Sequence, residues 1–245
     1  MRISHHLTRH LASPALDLVY PRRCCACGAR DPAPLRYLCW DCWSGMHPVA
    51  PPFCARCGDP VAGRIDHEYL CHACTSSDPA FDRARSAVRY DGPAREMLIA
   101  LKYRHAIWLV PDLALMLEGL VRAEFRPGTP DAVVPVPLHR RRRRDRAYNQ
   151  AGLIAGELAR RLGVPCRPGM LKRVRDTGTQ TRLTAAQRES NMRGAFRAAP
   201  GAVSAGAHIL LIDDTMTTGA TVRECARAFK LAGASKVDVA TVARG

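Results

Sequence analysis

The spacing of apolar positions changes period several times along the chain, and those changes divide it. ARSAVRY (84–90) alternates apolar and polar residues as a strand does, and DGPAREMLIALKYR (91–104) opens a helix with Pro93 fitted to its first turn. PDLALMLEGLVRAEF (111–125) places Leu113, Met116, Leu117, Leu120 and Val121 at helical spacing, a stripe that faces a core. From residue 131 the pattern is strand then helix, repeated. DAVVPVP (131–137) is a short apolar strand, and YNQAGLIAGELARRLG (148–163) is a helix closing at Gly163. The residues around Cys166 form a second strand and HILLID (208–213) a third. ATVRECARAFKLAG (220–233) is a helix closing at Gly233, and KVDVATVAR (236–244) is the last strand. On the helix from 220, Cys225 shares an apolar face with Val222 and Phe229, which makes it core material rather than a nucleophile.

Apolar strands punctuated by helices predict an α/β fold, a parallel sheet with helices on both faces. Ligands of such sheets bind beyond the carboxyl ends of the strands. The 245 residues, 47% of them hydrophobic, suffice for one such domain plus a small accessory module. A Pro-rich stretch, HPVAPPF (47–53), and TSSDPAF (75–81) act as punctuation, and the second sets a boundary: a module over 1–78 and the larger domain over 79–245. The polar segment KRVRDTGTQTRLTAAQRESNMRGAF (172–196) has few large apolar residues, and a stretch of that length without its own core is typically functional or disordered.

Lys and Arg outnumber Asp and Glu by 37 to 22, for a net charge of +15. That excess favours anionic partners such as nucleic acid, phosphorylated small molecules or acidic lipid, although a base-composition bias of the genome also enriches Arg. No apolar run approaches the ~20 residues of a membrane span. The opening residues MRISHHLTRHLASPALDLVYP lack the continuous apolar segment of a secretory signal. The expected compartment is the reducing cytoplasm, where eleven cysteines point to metal before disulfides.

Eight of those cysteines form four C-x-x-C pairs, Cys24/Cys27, Cys39/Cys42, Cys54/Cys57 and Cys71/Cys74, separated by 11, 11 and 13 residues. Each pair presents two thiolates from one tight knuckle, and two knuckles supply the four sulfurs of a tetrahedral Zn²⁺ site. Gly28 and Gly58 follow the second cysteine of their pairs, where the backbone must turn. Two successive structural Cys₄ zinc sites follow, a double zinc ribbon. An interleaved pairing, first knuckle with third, satisfies the same count, as does filling of one site only. Cys25 is a bystander inside the first knuckle, and His67 and His72 are surface residues.

The chemistry is concentrated in LLIDDTMTTGATV (210–222). With Ile209 before them, four apolar residues run into Asp213 and Asp214, a costly end for a buried strand. Gly219 then allows a tight turn, so that amides of residues 217 to 221, the hydroxyls of Thr217, Thr218 and Thr221, and the positive end of a helix starting near Ala220 form a nest of phosphate size. The two carboxylates suit vicinal sugar hydroxyls and a hydrated Mg²⁺ instead. Phosphate on one side and diol on the other describe a ribose 5-phosphate. Neither a Walker signature nor a Rossmann fingerprint is present.

ILLIDDTMTTGATV resembles the phosphoribosyl pyrophosphate (PRPP) motif of the phosphoribosyltransferase superfamily. With the cysteine-rich ribbon, LKY (101–103), PVPLHRRRRRDRAYNQ (135–150) and the 172–196 segment in that order, the chain resembles the ComF family, the competence ComFC or amidophosphoribosyltransferase-like proteins, from about Leu18 to Val242. The resemblance implies a type I phosphoribosyltransferase-like fold. It gives Asp213 and Asp214 the ribose hydroxyls, Thr217, Thr218, Gly219, Ala220 and Thr221 the 5-phosphate, and Pro137, Leu138, His139 and Arg140 the pyrophosphate, with Thr215 also among the PRPP-binding residues. It makes Thr177, Gln180, Arg182, Arg188 and Asn191 part of a mobile loop. The family usually has Arg-Gly-Phe-Asn-Gln where this chain has Arg146-Ala147-Tyr148-Asn149-Gln150. No glutaminase is implied, because the N-terminal nucleophilic Cys is missing.

As an enzyme the chain would catalyse attack on the anomeric carbon of PRPP through an oxocarbenium-like transition state, with Mg²⁺-bound pyrophosphate departing. Asp213, Asp214, Arg140 and Lys102 are the candidate catalytic residues, with Arg141 and Arg182 as further cations for the pyrophosphate. The acceptor is not encoded in any recognisable motif. The run HRRRRRDR (139–146) exceeds what a pyrophosphate needs. It is either a solvated basic loop or, through Arg140, Arg141, Arg142, Arg143, Arg144 and Arg146, a site for a polyanion such as single-stranded DNA, with Tyr103, Trp108 or Tyr148 as stacking platforms. The ComF family is implicated in natural transformation, so single-stranded DNA and DNA-uptake proteins are the alternative partners, and a PRPP-sensing regulator is a third reading. A dimer is compatible with the sequence.

Overall fold

The structure is a computed structural model that describes residues 22–30, 32–125, 129–139, 147–175 and 185–245. The first four-cysteine segment holds a two-residue hairpin, β1 (Pro34–Leu35) with β2 (Leu38–Cys39), and the short helix α1 (Trp40–Ser44); α2 (His72–Ser77) follows the last cysteine knuckle. The larger domain runs β3 (Arg83–Arg89), α3 (Gly92–Tyr103), α4 (Val110–Glu124), β4 (Ala132–Pro135), α5 (Gln150–Leu162), β5 (Leu171–Arg173), α6 (Ala185–Met192), β6 (Phe196–Ala198), β7 (His208–Met216), α7 (Ala220–Leu231) and β8 (Lys236–Arg244).

The central sheet has the order β3-β8-β7-β4 with every pairing parallel. Parallel neighbours need covered crossovers, and the fully buried runs Ile209–Ile212 and Val237–Ala243 show why: neither face of β7 or β8 meets water over that length. On one face pack α3, α4 and α5 through Met97, Leu101, Leu113, Leu117, Ile154 and Leu158. On the other lie α7, through Cys225 and Phe229, and the antiparallel pair β5–β6.

The predicted strand around Cys166 is reduced to a single parallel bridge, Val133 to Cys166, flanked by Arg167 N donating to the Val133 carbonyl at 2.9 Å. A larger difference lies in 172–196, whose ends are structured: Leu171–Arg173 pairs with Phe196–Ala198, and the apolar residues of the stretch, Met192 and Phe196, are buried against α7. Charge density obscured that small core in the sequence.

The two four-cysteine modules attach to opposite faces. The first joins the helical face, where the buried carboxylate of Asp112 on α4 accepts from Arg36 N at 3.1 Å and Tyr37 N at 2.8 Å. The second joins the α7 face and lies along β3. There Ala84 N donates to the Arg56 carbonyl at 2.8 Å, and the buried Arg85 guanidinium reaches Glu124 Oε2 at 2.9 Å, the Ala55 carbonyl at 3.0 Å and the Phe53 ring. The link between modules also pairs with β3, through Val49 N to the Ala87 carbonyl and Arg89 N to the His47 carbonyl. The sheet edge at β3 is thereby covered rather than left as an open template.

Candidate functional site

The eight cysteines resolve into two quartets, Cys24/Cys27/Cys39/Cys42 and Cys54/Cys57/Cys71/Cys74, with the sulfurs of each within 4.8 Å of one another. Successive knuckles therefore pair, and the interleaved arrangement is excluded. Cys27 Sγ lies 3.6 Å from Cys39 Sγ, and Cys57 Sγ lies 3.6 Å from Cys71 Sγ. Tetrahedral Zn–S bonds of about 2.3 Å require sulfurs about 3.8 Å apart, so both quartets fit structural zinc. Cys25 belongs to neither: it packs against the helical core, and burial pushes its thiol up. His67 and His72 are exposed and outside both quartets.

The second site is built at the carboxyl edge of the sheet. β7 does not stop at the acids. It keeps its register with β8 through Asp213–Thr241, Thr215–Ala243 and Met216–Arg244. On its other flank β4 leaves after Val136 N donates to the Ile212 carbonyl at 2.8 Å. Asp213 and Asp214 thus occupy the stretch where β7 still has one neighbour and has lost the other, which opens the edge to a ligand.

Beyond Met216 the chain turns through Thr217 and Thr218 to Gly219, whose φ of +76° caps α7 in the left-handed region. A Cβ there would stand 2.9 Å from Met216 Cε, the flexible tip of a side chain that can shift, so it is the backbone conformation that calls for glycine. Ala220 is buried; the partly exposed Thr218 and Thr221 and the exposed Thr217 stand at the start of the helix.

Lys102, at the end of α3, reaches across with its Nζ 2.8 Å from Asp214 Oδ1 and donates to Thr215 Oγ1 at 3.1 Å. Burial works against its ammonium, yet the charge of Asp214 beside it holds it above its ordinary value. Asp213 has no such partner: Asp214 N donates to its Oδ1 at 2.8 Å. Burial, then the neighbouring Asp214 charge, push its carboxyl up to about 7, against weaker opposing pulls from Lys102 and Arg173. Two adjacent carboxylates with one ammonium leave a site short of positive charge or of hydroxyl donors.

Pro137, Leu138 and His139 line a cavity of about 720 Å³ together with Asn149, Lys172 and Arg173 among others. β4 and β7 are parallel neighbours, so this segment and the acids leave the same edge. Tyr148 and Asn149 brace it: Tyr148 donates its hydroxyl to the Leu101 carbonyl at 2.5 Å, next to Lys102, and Asn149 Nδ2 donates to the Val136 carbonyl at 3.0 Å. Asn149 and Arg173 were not predicted as site residues, although Asn149 lies inside the quoted motif, and Tyr148 was named only as a stacking platform. Ala147, which stands where the resembled family has glycine, has a φ of +64°, the region glycine favours.

Arg140 to Arg144, Arg146, Thr177, Gln180 and Arg182 lie outside the described residues, as does the side chain of Arg188. Asn191 contributes its carbonyl, which accepts from Arg175 Nη2 at 2.7 Å. Of the aromatic residues named for stacking, Tyr103 and Trp108 are exposed, with Trp108 beside the Tyr37 ring, and Tyr148 is partly buried. Among the described residues no helix is long and apolar enough to cross a membrane.

Residues 15–75 match the double zinc ribbon domain and residues 149–245 the phosphoribosyl transferase domain. Competence protein F of Haemophilus influenzae is 32% identical over 200 residues, 79% of this chain and 85% of its own. The DNA utilization protein YhgH of Salmonella typhimurium is 35% identical over 190 residues, 76% of this chain and 81% of its own. Among solved structures, the glutamine PRPP amidotransferase of B. subtilis overlays with a TM-score of 0.37 at 25% identity, over 54% of this chain and 25% of its own.

Proposed function

The chain belongs to the ComF family, and on that premise we propose that its carboxyl-edge site binds PRPP with Mg²⁺ and transfers or senses the phosphoribosyl group. The observation that carries this reading is the joint placement of the Asp213–Asp214 pair, the Gly219 turn and Lys102 at one edge. Asp213 and Asp214 accept from the 2- and 3-hydroxyls of the ribose. A diol supplies the donors that the carboxylate pair lacks, and it favours the ionised form of Asp213. The amides of 217 to 221 and the Thr217, Thr218 and Thr221 hydroxyls take the 5-phosphate at the start of α7. Pro137 to Arg140 accommodate the pyrophosphate, with Lys102 among its counter-charges once the ligand competes for Asp214.

Asp213 and Asp214 would hold Mg²⁺ together with the substrate, and the ion would supply positive charge against the pyrophosphate. In transfer, the bond from the anomeric carbon to the pyrophosphate oxygen breaks and one to the acceptor's nucleophilic atom forms. The chain's own part is to fix the sugar and stabilise the leaving group. The two zinc sites are closed and structural, and we assign the protein to the reducing cytoplasm, where their thiols stay available to metal.

Isothermal titration with PRPP and Mg²⁺ tests the reading. Binding is expected for the wild type and lost in the double variant Asp213→Asn, Asp214→Asn; no binding by the wild type refutes it. A second reading, single-stranded DNA binding in DNA uptake, is favoured by the names of the relatives and by the exposed Tyr103 and Trp108 beside a strongly basic chain. It expects affinity that falls steeply with salt and drops when Arg140 to Arg144 become Ala.

A further inference from the structure

Arg244, at the end of β8, carries a guanidinium that is nine-tenths buried, and its Nε and Nη2 both donate to Asp59 Oδ1, at 3.0 and 2.7 Å. Asp59 belongs to the second cysteine module. It lies two residues past Cys57, and its carbonyl accepts from Cys54 N at 2.9 Å. The module is seated tightly on the sheet: Gly58 has a φ of +66°, and a Cβ there would stand 2.7 Å from the Ala84 carbonyl. The main chain of Arg244 leads straight to the phosphate-sized turn. Its Cα is in register with Met216, and its carbonyl accepts from Tyr90 N at 2.6 Å. Gly245 N donates to the Met216 carbonyl at 2.9 Å, and Gly245 abuts Thr217 and Tyr90. The Tyr90 ring faces Lys102 Nζ at 5.8 Å, the ammonium that holds Asp214.

We infer that Asp59 and Arg244 are positioning residues: through their ion pair the second cysteine module fixes the backbone at Met216 and Thr217, and with it the entrance to the turn at Gly219. The inference rests on the PRPP reading for the identity of the ligand, while the linkage itself is a property of the ligand-free chain. An exposed ion pair would not carry it. Here the Asp59 carboxylate is half exposed, but the guanidinium it holds by two hydrogen bonds is buried, and Arg244 Nη1 is already buried without a partner, so loss of the Asp59 charge leaves the whole guanidinium uncompensated. It regains water by swinging outward, which drags Arg244 and Gly245 from Met216 and Thr217.

Hydrogen–deuterium exchange on the full-length, zinc-loaded protein tests this, with Asp59→Asn, Arg244→Lys and, as control, Asp66→Asn, which breaks the exposed Arg64–Asp66 pair of the same module. In the first two variants the amides of 215–221 should exchange about tenfold faster, while those of 132–136 stay as in the wild type. Affinity for Mg²⁺ with PRPP should fall by a similar factor, zinc should remain at two per chain, and Asp66→Asn should change nothing. Unchanged exchange at 215–221 in Arg244→Lys overturns the inference, and that variant decides alone if Asp59→Asn folds poorly or loses zinc. A wild type that ignores PRPP, with exchange at 215–221 responding as described, refutes the PRPP reading and leaves the linkage standing.

Discussion

Asp213 and Asp214 are adjacent and identical in type, yet their replacement by Asn should act on stability with opposite signs. Asp213 is held up to about 7 by burial and by the Asp214 charge, against an ordinary value of 3.8. The folded state therefore binds a proton that the unfolded chain has lost, and the contribution of Asp213 to stability is greatest at low pH. That stability is given up as the pH rises from about 4 to about 7 and is flat above. Linkage between these two values amounts to about 2 to 3 kcal/mol between pH 5 and pH 8.5, equivalent to roughly 5–10 °C for a chain of this size. Asp213→Asn removes the titration, so it should gain on the wild type by that amount across the window. Asp214→Asn instead strips the mostly buried Lys102 of its 2.8 Å counter-ion, and should cost about 1 to 3 kcal/mol at pH 8. Urea unfolding of the three proteins without ligand, from pH 5 to 8.5, measures both effects, and taking differences between variants cancels the zinc and the titrating groups that are not coupled to the pair. Parallel pH curves for wild type and Asp213→Asn would refute the electrostatic account of the site.

Three further outcomes follow from named contacts. Gly219→Ala should destabilise the fold by roughly 1 to 2 kcal/mol and weaken phosphate-ligand binding, because alanine is strained at this positive φ; denaturant midpoints and titration with ribose 5-phosphate measure it. Ala147→Gly should be neutral to stabilising by up to about 1 kcal/mol, since it relieves a left-handed alanine, whereas a loss of stability would show that the methyl packs usefully. Cys57→Ser should lower zinc from two ions to one per chain by metal analysis, and should loosen β3 as well as its own module, read as faster amide exchange at 84–88, because Ala84 and Arg85 are bonded to residues 55 and 56.

How much of this was legible in the sequence depends on where the stabilising contacts lie along the chain. Strands that are buried on both faces announce themselves as unbroken apolar runs, and the last strand, Lys236–Arg244, has the predicted bounds. The zinc quartets were legible for a related reason. Each knuckle is local, and only the pairing of knuckles needed three dimensions to choose the successive arrangement. The Gly219 turn was legible because its demands fall on consecutive residues. The hidden elements depend on partners distant in sequence. Phe196 and Leu171 form a small core across a polar stretch, and Asp112 reads as an exposed helix residue until Arg36 and Tyr37 are seen to donate to it.

The end of β7 is the instructive case, because there the apolar pattern singled out Asp213 and Asp214 on an incomplete expectation. Paired acids after an apolar run suggest that the strand stops, yet β7 continues to Met216 because β8 goes on pairing with it. What stops is β4, at Pro135, on the other flank. A strand that keeps one neighbour while losing the other exposes side chains from a rigid backbone, so the carboxylates are held by the sheet rather than by a loop. Their burial beside Lys102 follows from that placement, and so does the raised Asp213. The same half-edge explains why Arg244 matters: it is the β8 residue paired with Met216, and anything that fixes it fixes the last supported residue before the turn. The acids, the turn and the ribbon are consequently one mechanical unit, joined along β8, although no sequence motif spans them.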